Sequence, residues 1–331
     1  MKSIRSTRRA SVTNASRLLC LLSTGAVLGA CGGSDDPAAP APAPVATKRV
    51  SIEFVATVGT TPVDCASTLE GLGTTAARAR LTDLRFYVSN VHLLGANDAE
   101  TPVTLDADDW QLTEGSNSVA LVDLEDGNCT NGESLTAAKH VSISGTVPEG
   151  TYTGIGMTLG VPEALNHSDF ATAKAPLNIQ AMAWNWQGGR KHAKIEISPE
   201  NPATAGTYTG GVNVYDASGA QTGTIDQFLL HLGATGCTGT NAAGYTCTSP
   251  NQKPFHLHAF DPTTQRISVD LQKLFANNRI DENRGGPAGC MSGPTDPECG
   301  IDAASGNVVG GVFKALADSE HGSGIFRAIA K

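Results

Sequence analysis

The sequence predicts an all-β fold, namely an antiparallel β-sandwich with long disulfide-stapled loops and little helix. The 331 residues include 37 glycines, while aromatic residues make up 5% and charged residues 17%. Such a composition suits short strands and frequent turns better than long helices with surface salt bridges. Segments in which apolar and polar residues alternate recur between turn signals, as they do in antiparallel sandwiches. The folded part shows no internal repeat and no domain boundary.

Ten segments carry the alternation or the apolar content expected of strands. The longest of them changes its apolar face near Asn90, which predicts a β-bulge. Residues 271–277 are expected to form one or two helical turns, and the Gly-, Pro- and Asp-rich residues 278–307 an irregular loop. The predicted strands are residues 50–54, 81–94, 118–124, 140–146, 152–159, 193–197, 211–215, 226–232, 254–260 and 266–271.

The amino terminus predicts export. Residues 1–30 combine a basic start with an apolar run at 18–28 that is too short to span a bilayer, as in a signal peptide. The run ends in Leu-Gly-Ala-Cys at 28–31, which resembles a lipobox and predicts lipidation of Cys31; a plain secretory signal is the alternative. Residues 31–48 are rich in Pro and Ala and predict an extended tether. The domain at 49–331 would then be held in the cell envelope, in the periplasm or at the outer membrane.

Charge and missing motifs exclude some functions. Removing the signal changes the formal charge from −9 to −14, because residues 1–30 hold five positive and no negative residues. Nucleic acid selects basic surfaces, so we expect no nucleic-acid partner. The chain has no G-x-S-x-G elbow, no P-loop and no H-E-x-x-H motif. We therefore predict that it is not an enzyme. The alternative, an enzyme with a histidine-bound metal, would need an open coordination site and a substrate cleft, and nothing in the sequence points to either.

Six cysteines remain once the signal and the lipidated residue are set aside. An even number in an exported chain predicts disulfides. Zinc bound by thiolates is the alternative, although the chain has no C-x-x-C pair. The sequence permits many pairings, of which proximity along the chain favours Cys237 with Cys247 and Cys290 with Cys299, leaving Cys65 with Cys129.

Histidines are candidates for chemistry because imidazole suits copper, zinc and nickel. His231 lies on a predicted strand, on the face opposite Phe228, Leu230 and Leu232, and is either a ligand or a capped core residue. His167 lies in a loop after a strand. The remaining histidines are expected to bind no metal. His256 and His258 are expected on an exposed strand face, although H-x-H is a fair two-ligand geometry on a strand. His192 is expected in solvent, and His92, His140 and His321 are expected to be isolated.

Trp184 and Trp186 form the other candidate site. They are separated by one residue, so on an extended segment both rings face the same way. Such a pair is typical of core packing or of a binding platform, and the spacing alone favours the core. As a platform, the pair would make the chain a surface lipoprotein that binds a protein or glycan and no metal.

An ordered series of short motifs runs through the folded part of the chain. The motifs are LTDLRFYVSN at 81–90, GVP at 160–162, LNH at 165–167, APLN at 175–178, WNWQ at 184–187 and HLG at 231–233, followed by Cys237, Cys247, Cys290 and Cys299. Each motif alone is weak, but the ordered set is specific and covers roughly residues 50–315. This set resembles the MbnP family, whose members are also described as metallo-mystery pair proteins with a four-Cys motif.

The resemblance implies a periplasmic copper-binding protein. Members of the family are paired with MbnH, a diheme relative of bacterial cytochrome c peroxidases, which oxidises a tryptophan of MbnP to kynurenine. Related proteins bind Cu(I) through two histidines and a kynurenine. By position, the copper ligands here are His167 and His231 with Trp184 or Trp186, one of which is modified. The family tends to carry Gly-Tyr-Lys-Phe where this chain has Gly-Arg-Lys-His at 189–192, so two aromatic residues are missing.

Overall fold

Two large β-sheets pack face to face and enclose most of the apolar side chains, which confirms the predicted β-sandwich. A computed structural model describes residues 45–126, 129, 139–184, 188–240, 242–300, 309–319 and 324–331. Across these ranges no helix is long and apolar enough to cross a bilayer. Cys31, Trp186 and His321, together with the predicted signal peptide and most of the tether, lie outside the described residues.

Twenty strands and three short α-helices make up the described fold. The helices are α1 (Glu163–Asn166), α2 (Leu271–Leu274) and α3 (Gly311–Ala317), and short 3₁₀ turns occur at Ala96–Asp98, Gln180–Met182 and Pro297–Cys299. The strands are β1 (Thr47–Val58), β2 (Thr61–Pro62), β3 (Thr68–Leu72), β4 (Ala77–Leu94), β5 (Glu100–Pro102), β6 (Thr104–Leu105), β7 (Gln111–Glu114), β8 (Asn117–Asp123), β9 (Ser142–Pro148), β10 (Gly154–Leu159), β11 (Lys191–Pro199), β12 (Val212–Tyr215), β13 (Gln221–Ile225), β14 (Phe228–Gly233), β15 (Thr235–Thr240), β16 (Gly244–Ser249), β17 (Lys253–Leu257), β18 (Gln265–Asp270), β19 (Glu282–Asn283) and β20 (Phe326–Ala330).

The first large sheet has six strands in the order β20-β18-β1-β9-β6, with β2 paired to β1. Strand β1 runs parallel to β18 and antiparallel to β9. The sandwich is antiparallel as predicted in its other strand pairs, and the two parallel exceptions among the described strands are this pair and β12 with β19. A parallel pair needs a long connection between its strands, and Thr57 on β1 is bonded to Ser268 on β18 across 211 positions of the chain.

The second large sheet has nine strands and is built on β4. Strand β11 pairs with the first half of β4, and β10 pairs with the second half. The pairing with β10 shifts register opposite Asn90, whose φ is 50°, so the predicted bulge is present there. Strands β14 and β17 lie outside β11 and β10, while β3, β5 and β8 also pair with β4.

The main core lies between the two sheets. The ring of Phe54 on β1 meets the edge of Phe86 on β4 at a centroid distance of 5.6 Å. Phe326 on β20 stacks on Phe255 of β17 at 4.0 Å. These contacts join the inner faces of both sheets, so the opposite face of each sheet points away from the main core.

A second, smaller core covers the outer face of the nine-stranded sheet, and we refer to it as the outer core. Its apolar side chains come from β4 and β8 and from the segment 161–182, which crosses this face. The phenol of Tyr87 on β4 donates a hydrogen bond of 2.8 Å to the carbonyl of Pro176 in that segment. The members of the outer core are Tyr87, Val119, Leu121, Val161, Leu165, Leu177 and Met182.

Candidate metal centre

Arg190 fixes the segment that carries His167 against the start of β11. It is 1% exposed. Its guanidinium donates hydrogen bonds to the carbonyl oxygens of Asn166 at 2.9 Å, Ser168 at 2.5 Å and Leu177 at 2.7 and 3.0 Å. These carbonyls belong to an irregular segment without strand partners, and a buried carbonyl without a donor is costly. The Arg190 side chain therefore supplies the hydrogen-bond donors that a neighbouring strand supplies elsewhere in the fold.

Asn166 determines which nitrogen of His167 carries the proton. The side-chain oxygen of Asn166 accepts a hydrogen bond of 2.8 Å from the backbone N–H of Arg190, which fixes the orientation of the amide. The amide nitrogen then faces Nε2 of His167 at 3.3 Å and donates to it. Nε2 of the buried His167 is therefore the unprotonated nitrogen, and a metal bound there would replace the side-chain amide of Asn166 at its lone pair.

His167 is enclosed on its other side by the hairpin β15–β16. Its ring stacks on Tyr245 at a centroid distance of 4.4 Å, and Nε2 lies 3.4 Å from the sulfur of Cys247. The ligand atoms of His167, Cys237 and Cys247 all lie within 4.8 Å of one another. However, the two sulfurs form a disulfide, and the metal ligand is the thiolate. This cluster therefore supplies one metal donor, the His167 nitrogen, beside a rigid disulfide.

Three disulfides are formed, and they are the pairs that proximity along the chain favours. Cys237 joins Cys247 and Cys290 joins Cys299. The third pair spans 64 positions of the chain and joins Cys65 to Cys129. Because all six sulfurs are paired, the zinc-thiolate alternative has no ligands in this structure.

Trp184 lies over the end of β14. Its backbone N–H donates to the carbonyl of Gly189 at 3.0 Å. Because Trp186 lies outside the described residues, the expectation that both rings face the same way stays a prediction. A β-carbon at Gly233 would come within 2.6 Å of the indole, so the ring covers the face of β14 to which residue 233 points. Trp184 also lines a cleft of about 730 Å³ together with Cys237 and Met291.

His231 lies on that same face of β14, because residues two apart on a strand point the same way. As the alternation predicts, Leu230 and Leu232 point into the main core while His231 points away from it. Its Nε2 lies 2.6 Å from Oε1 of Glu196 on β11. A carboxylate can only accept, so Nε2 is protonated and Nδ1 is the free nitrogen.

Burial keeps His231 neutral near pH 7. Burial lowers the pKa of His231, although its hydrogen bond to Glu196 opposes the shift. The carboxylate of Glu196 also accepts from Lys194, whose Nζ lies 2.8 Å away, and its pKa falls to about 2 because these partners outweigh its burial. Lys194 in turn contacts Asp83, which is paired with Arg85. The result is a buried polar row with a neutral imidazole at its end.

The expectation that His192 lies in solvent is wrong. Its side chain is fully buried, with Nδ1 accepting from the N–H of Val161 at 3.2 Å and Nε2 donating to the carbonyl of Pro250 at 2.9 Å. The physical reason is that the outer face of β11, to which His192 points, is covered by the segments that hold Val161 and Pro250. Lys194 and Glu196 on the same face are buried as well. Burial lowers the pKa of His192 to about 4, and both nitrogens are occupied, so it offers no lone pair to a metal.

Two other histidines expected to be isolated have neighbours. His140 stacks on Trp110 at a centroid distance of 4.6 Å. His92 is buried beside His256 and Glu100, and the ligand atoms of these three residues lie within 4.8 Å of one another. His256 is half-buried, so the expectation of an exposed face holds only for His258.

The structure therefore brings three of the predicted site residues, His167, Trp184 and His231, to one region. Trp184 covers the face of β14 to which His231 points. The Cys237–Cys247 disulfide lies beside His167, and Cys237 lines the cleft next to Trp184. Sequence reasoning missed Arg190, Asn166 and Glu196, which orient the histidines. All three are polar side chains that the structure buries. Their polarity was the only hint in the sequence, because polar residues are seldom buried unless they bond to a partner.

Comparisons with known proteins find similarity to one family. The family model for MbnP matches residues 47–292. Among solved structures, the chain is similar to MbnP from Methylosinus trichosporium, with a TM-score of 0.67 and 30% sequence identity, covering 86% of this chain and 99% of that one. A comparison with curated proteins returned no match. The matched residues include β1 through β19 and hold His167, Trp184 and His231.

Proposed function

The chain belongs to the MbnP family, and from this premise we propose that it binds copper in the cell envelope as the non-catalytic member of a metallo-mystery pair. In this proposal its partner is the diheme protein MbnH, which oxidises one tryptophan of this chain to kynurenine. The copper ligands are His167, His231 and the modified tryptophan, which is Trp184 or Trp186.

The observation that carries the proposal is the state of the two histidines near Trp184. Both are buried, and hydrogen bonds assign each of them one unprotonated nitrogen, Nε2 in His167 and Nδ1 in His231. The bond from His231 to Glu196 is of the kind that orients metal-bound imidazoles and raises their basicity. Neutral imidazoles suit copper, so these donors fit the ion that the family implies.

Oxidation would add the donors that the indole lacks. Kynurenine carries an aniline nitrogen and a ketone, whereas the indole N–H only donates a hydrogen bond. The reaction opens the C2–C3 bond of the pyrrole ring. In the overall reaction, two molecules of hydrogen peroxide consumed at the diheme partner each account for one added oxygen atom of N-formylkynurenine and leave one molecule of water, and hydrolysis then releases the C2 carbon as formate. Trp184 is the first candidate, because it is only half-buried and borders an open cleft.

The first test is peptide mass spectrometry on the segment that holds Trp184 and Trp186. Protein would be produced with and without the diheme partner from the same host. We expect loss of one carbon and gain of one oxygen at one tryptophan, only when the partner is present, and the fragment ions identify which one. Two unmodified tryptophans in natively produced protein would contradict the oxidation and favour a lipoprotein that binds a protein or glycan through this cleft.

The second test is a copper titration of modified protein. His167→Asn and Trp184→Phe with Trp186→Phe are each expected to lower Cu(I) affinity at least tenfold, which corresponds to about 1.4 kcal/mol. Trp110→Phe is the matched control, because Trp110 packs against the outer core and stacks on His140 instead. Equal affinity in all of these proteins would contradict the assigned ligands.

The envelope location rests on residues 1–48. Incorporation of labelled palmitate into the full chain, and its loss in Cys31→Ala, would establish the lipid anchor. Labelling that is absent from both proteins would favour the plain secretory signal.

A further inference from the structure

A second group of metal-ligating side chains lies on the outer face of the nine-stranded sheet, on β4, β5 and β17. Its members are His92, Glu100 and His256, and none of them is assigned to the copper site. On β10, which runs between β4 and β17, the neighbours of Gly156 point into the main core, so Gly156 and its partners His92 and His256 face outwards. The group therefore spans adjacent strands of one rigid sheet.

The proton on His92 is fixed by the β-bulge. Nδ1 lies 2.8 Å from the carbonyl oxygen of Asn90, the bulge residue, and a carbonyl can only accept. Nδ1 therefore carries the proton, and Nε2 presents a lone pair. Nε2 is buried and accepts no hydrogen bond from any described residue, while the residue as a whole is 3% exposed. A buried acceptor without a donor is a cost that a bound cation would remove.

The other two side chains converge on this nitrogen. Oε1 of Glu100 lies 3.6 Å from Nε2 of His92, and the rings of His92 and His256 are 5.7 Å apart between centroids. Both rings lean over Gly156, where a β-carbon would come within 2.2 Å of Nε2 of His92 and 2.6 Å of Cδ2 of His256. A glycine in the middle of a strand costs stability, and at this position it leaves the space in which the two imidazoles meet.

We propose that His92, Glu100 and His256 bind a divalent late transition-metal ion, Zn²⁺ being the ion tested below. Two imidazoles and one carboxylate with a position left for water match the three-ligand zinc sites of proteins. Their donor atoms lie within 4.8 Å of one another, against about 3.3 Å in a tetrahedral zinc site with bonds of 2.0–2.1 Å. Oε1 of Glu100 and Nε2 of His92 are already near that separation at 3.6 Å, so the remaining approach falls to the half-buried ring of His256 on the edge strand β17. The bond from Nδ1 of His92 to Asn90 is the usual outer support of such a ligand.

Other ions fit this group less well. Calcium and magnesium prefer six or more oxygen ligands, and only Glu100 provides oxygen in the trio. His258 is not counted as a ligand, because its side chain is 53% exposed and Nδ1 lies 3.1 Å from a carboxylate oxygen of Asp98. This site is independent of the proposed copper site, since it uses no residue of that site and needs no modified tryptophan.

The test is a Zn²⁺ titration by calorimetry of the full domain after removal of metals with a chelator. We expect one ion to bind the unmodified chain, and His256→Asn and Glu100→Gln each to lower the affinity about tenfold or more. The imidazole signals of His92 and His256 in nitrogen-proton NMR spectra are expected to shift on addition of Zn²⁺. Glu100 is exposed and His256 lies on an edge strand, so both variants are expected to unfold at the temperature of the metal-free parent.

Matched controls separate this site from general binding. Glu114→Gln removes a surface carboxylate that is paired with Lys174, and His258→Asn removes the neighbouring histidine, and both are expected to retain the affinity. Unchanged affinity in His256→Asn and Glu100→Gln would overturn the proposal. An equal loss in His258→Asn or Glu114→Gln would overturn the assignment of the three ligands. Neither result bears on copper binding, which is read separately from the Cu(I) titration.

Discussion

The indole of Trp184 lies directly on the backbone of Gly233, with its Cζ3 atom 2.6 Å from where a β-carbon would be. Any larger residue at 233 must push the ring away from the face of β14 that carries His231. We therefore expect Gly233→Ala to cost about 1–3 kcal/mol through overpacking and to reduce both oxidation of Trp184 and Cu(I) affinity. Chemical denaturation and the copper titration measure the two effects.

The control for this substitution is Gly223→Ala on the exposed strand β13, where a β-carbon meets no atom within 4 Å. It is expected to leave copper affinity unchanged. If Gly233→Ala binds copper as tightly as the parent, the indole does not need this position for the site to form.

Arg190 is expected to be the most sensitive residue of the site that is not itself a ligand. Arg190→Met keeps the apolar stem but leaves the carbonyls of Asn166, Ser168 and Leu177 without donors. Since each buried carbonyl without a partner costs about 1–3 kcal/mol, we expect a loss of about 3 kcal/mol or more. Hydrogen exchange should show faster opening of residues 163–177. Arg78→Met, which removes a surface residue paired with Glu200, is expected to leave the unfolding midpoint nearly unchanged.

The Cys237–Cys247 disulfide is expected to support the copper site as well as the fold. It closes a short hairpin and lies against Nε2 of His167, so replacing both cysteines by serine is expected to cost about 2–3 kcal/mol and to lower Cu(I) affinity. The matched variant replaces Cys65 and Cys129, which pair elsewhere. It should lose stability but retain the affinity of the parent. Equal affinities in both double variants would show that the hairpin has no role in holding His167.

Stability is expected to fall with rising pH through the titration of Glu298. Burial raises the pKa of its carboxyl to about 7 from an ordinary value of 4.5, and the neighbouring Asp296 adds to the shift. Between these two pH values the folded chain holds a proton that the unfolded chain releases. The contribution of Glu298 to the free energy of unfolding is therefore fully present below about pH 4.5 and is lost as the pH rises to about 7.

Glu298→Gln tests that dependence. The amide is neutral at every pH and keeps an oxygen that can accept from the N–H of Arg284, to which Oε1 is bonded at 2.6 Å. We expect the variant to be more stable than the parent by about 2 kcal/mol at pH 8 and to lose this advantage near pH 4.5. Denaturation midpoints across this range measure it, and a constant difference between the two proteins would contradict the assigned titration.

The strands of the sandwich could be predicted because their residues show the period-two pattern that a half-buried sheet imposes. The bulge at Asn90 was visible as a change of apolar face, and the structure confirms it. Strand β20 and the hairpin β15–β16 were missed. The hairpin consists mostly of Gly, Thr and Cys and is largely exposed, so no apolar face marks it. Strand β20 lies at the end of the chain, where only Phe326 is fully buried.

The site could be predicted in part, and only through the ordered motifs. Local patterns cannot show that His92 and His256, 164 positions apart in sequence, meet over a glycine on a third strand. They also placed His192 in solvent, because the polar face of β11 gives no sign of the distant segments that cover it. Contacts between strands depend on register, and register is a property of the assembled sheet.

The parallel pairing of β1 with β18 has a consequence for the order in which the chain can fold. Synthesis delivers β1 first, yet the partner that covers one of its edges ends at Asp270. Until then the apolar face formed by Val50, Ile52 and Phe54 has no complete sheet around it. Contacts between residues so distant in sequence slow folding, and an unpaired edge strand invites aggregation. The sandwich must therefore close after β18 has reached β1, and a chaperone that holds β1 until then would raise the yield of folded protein.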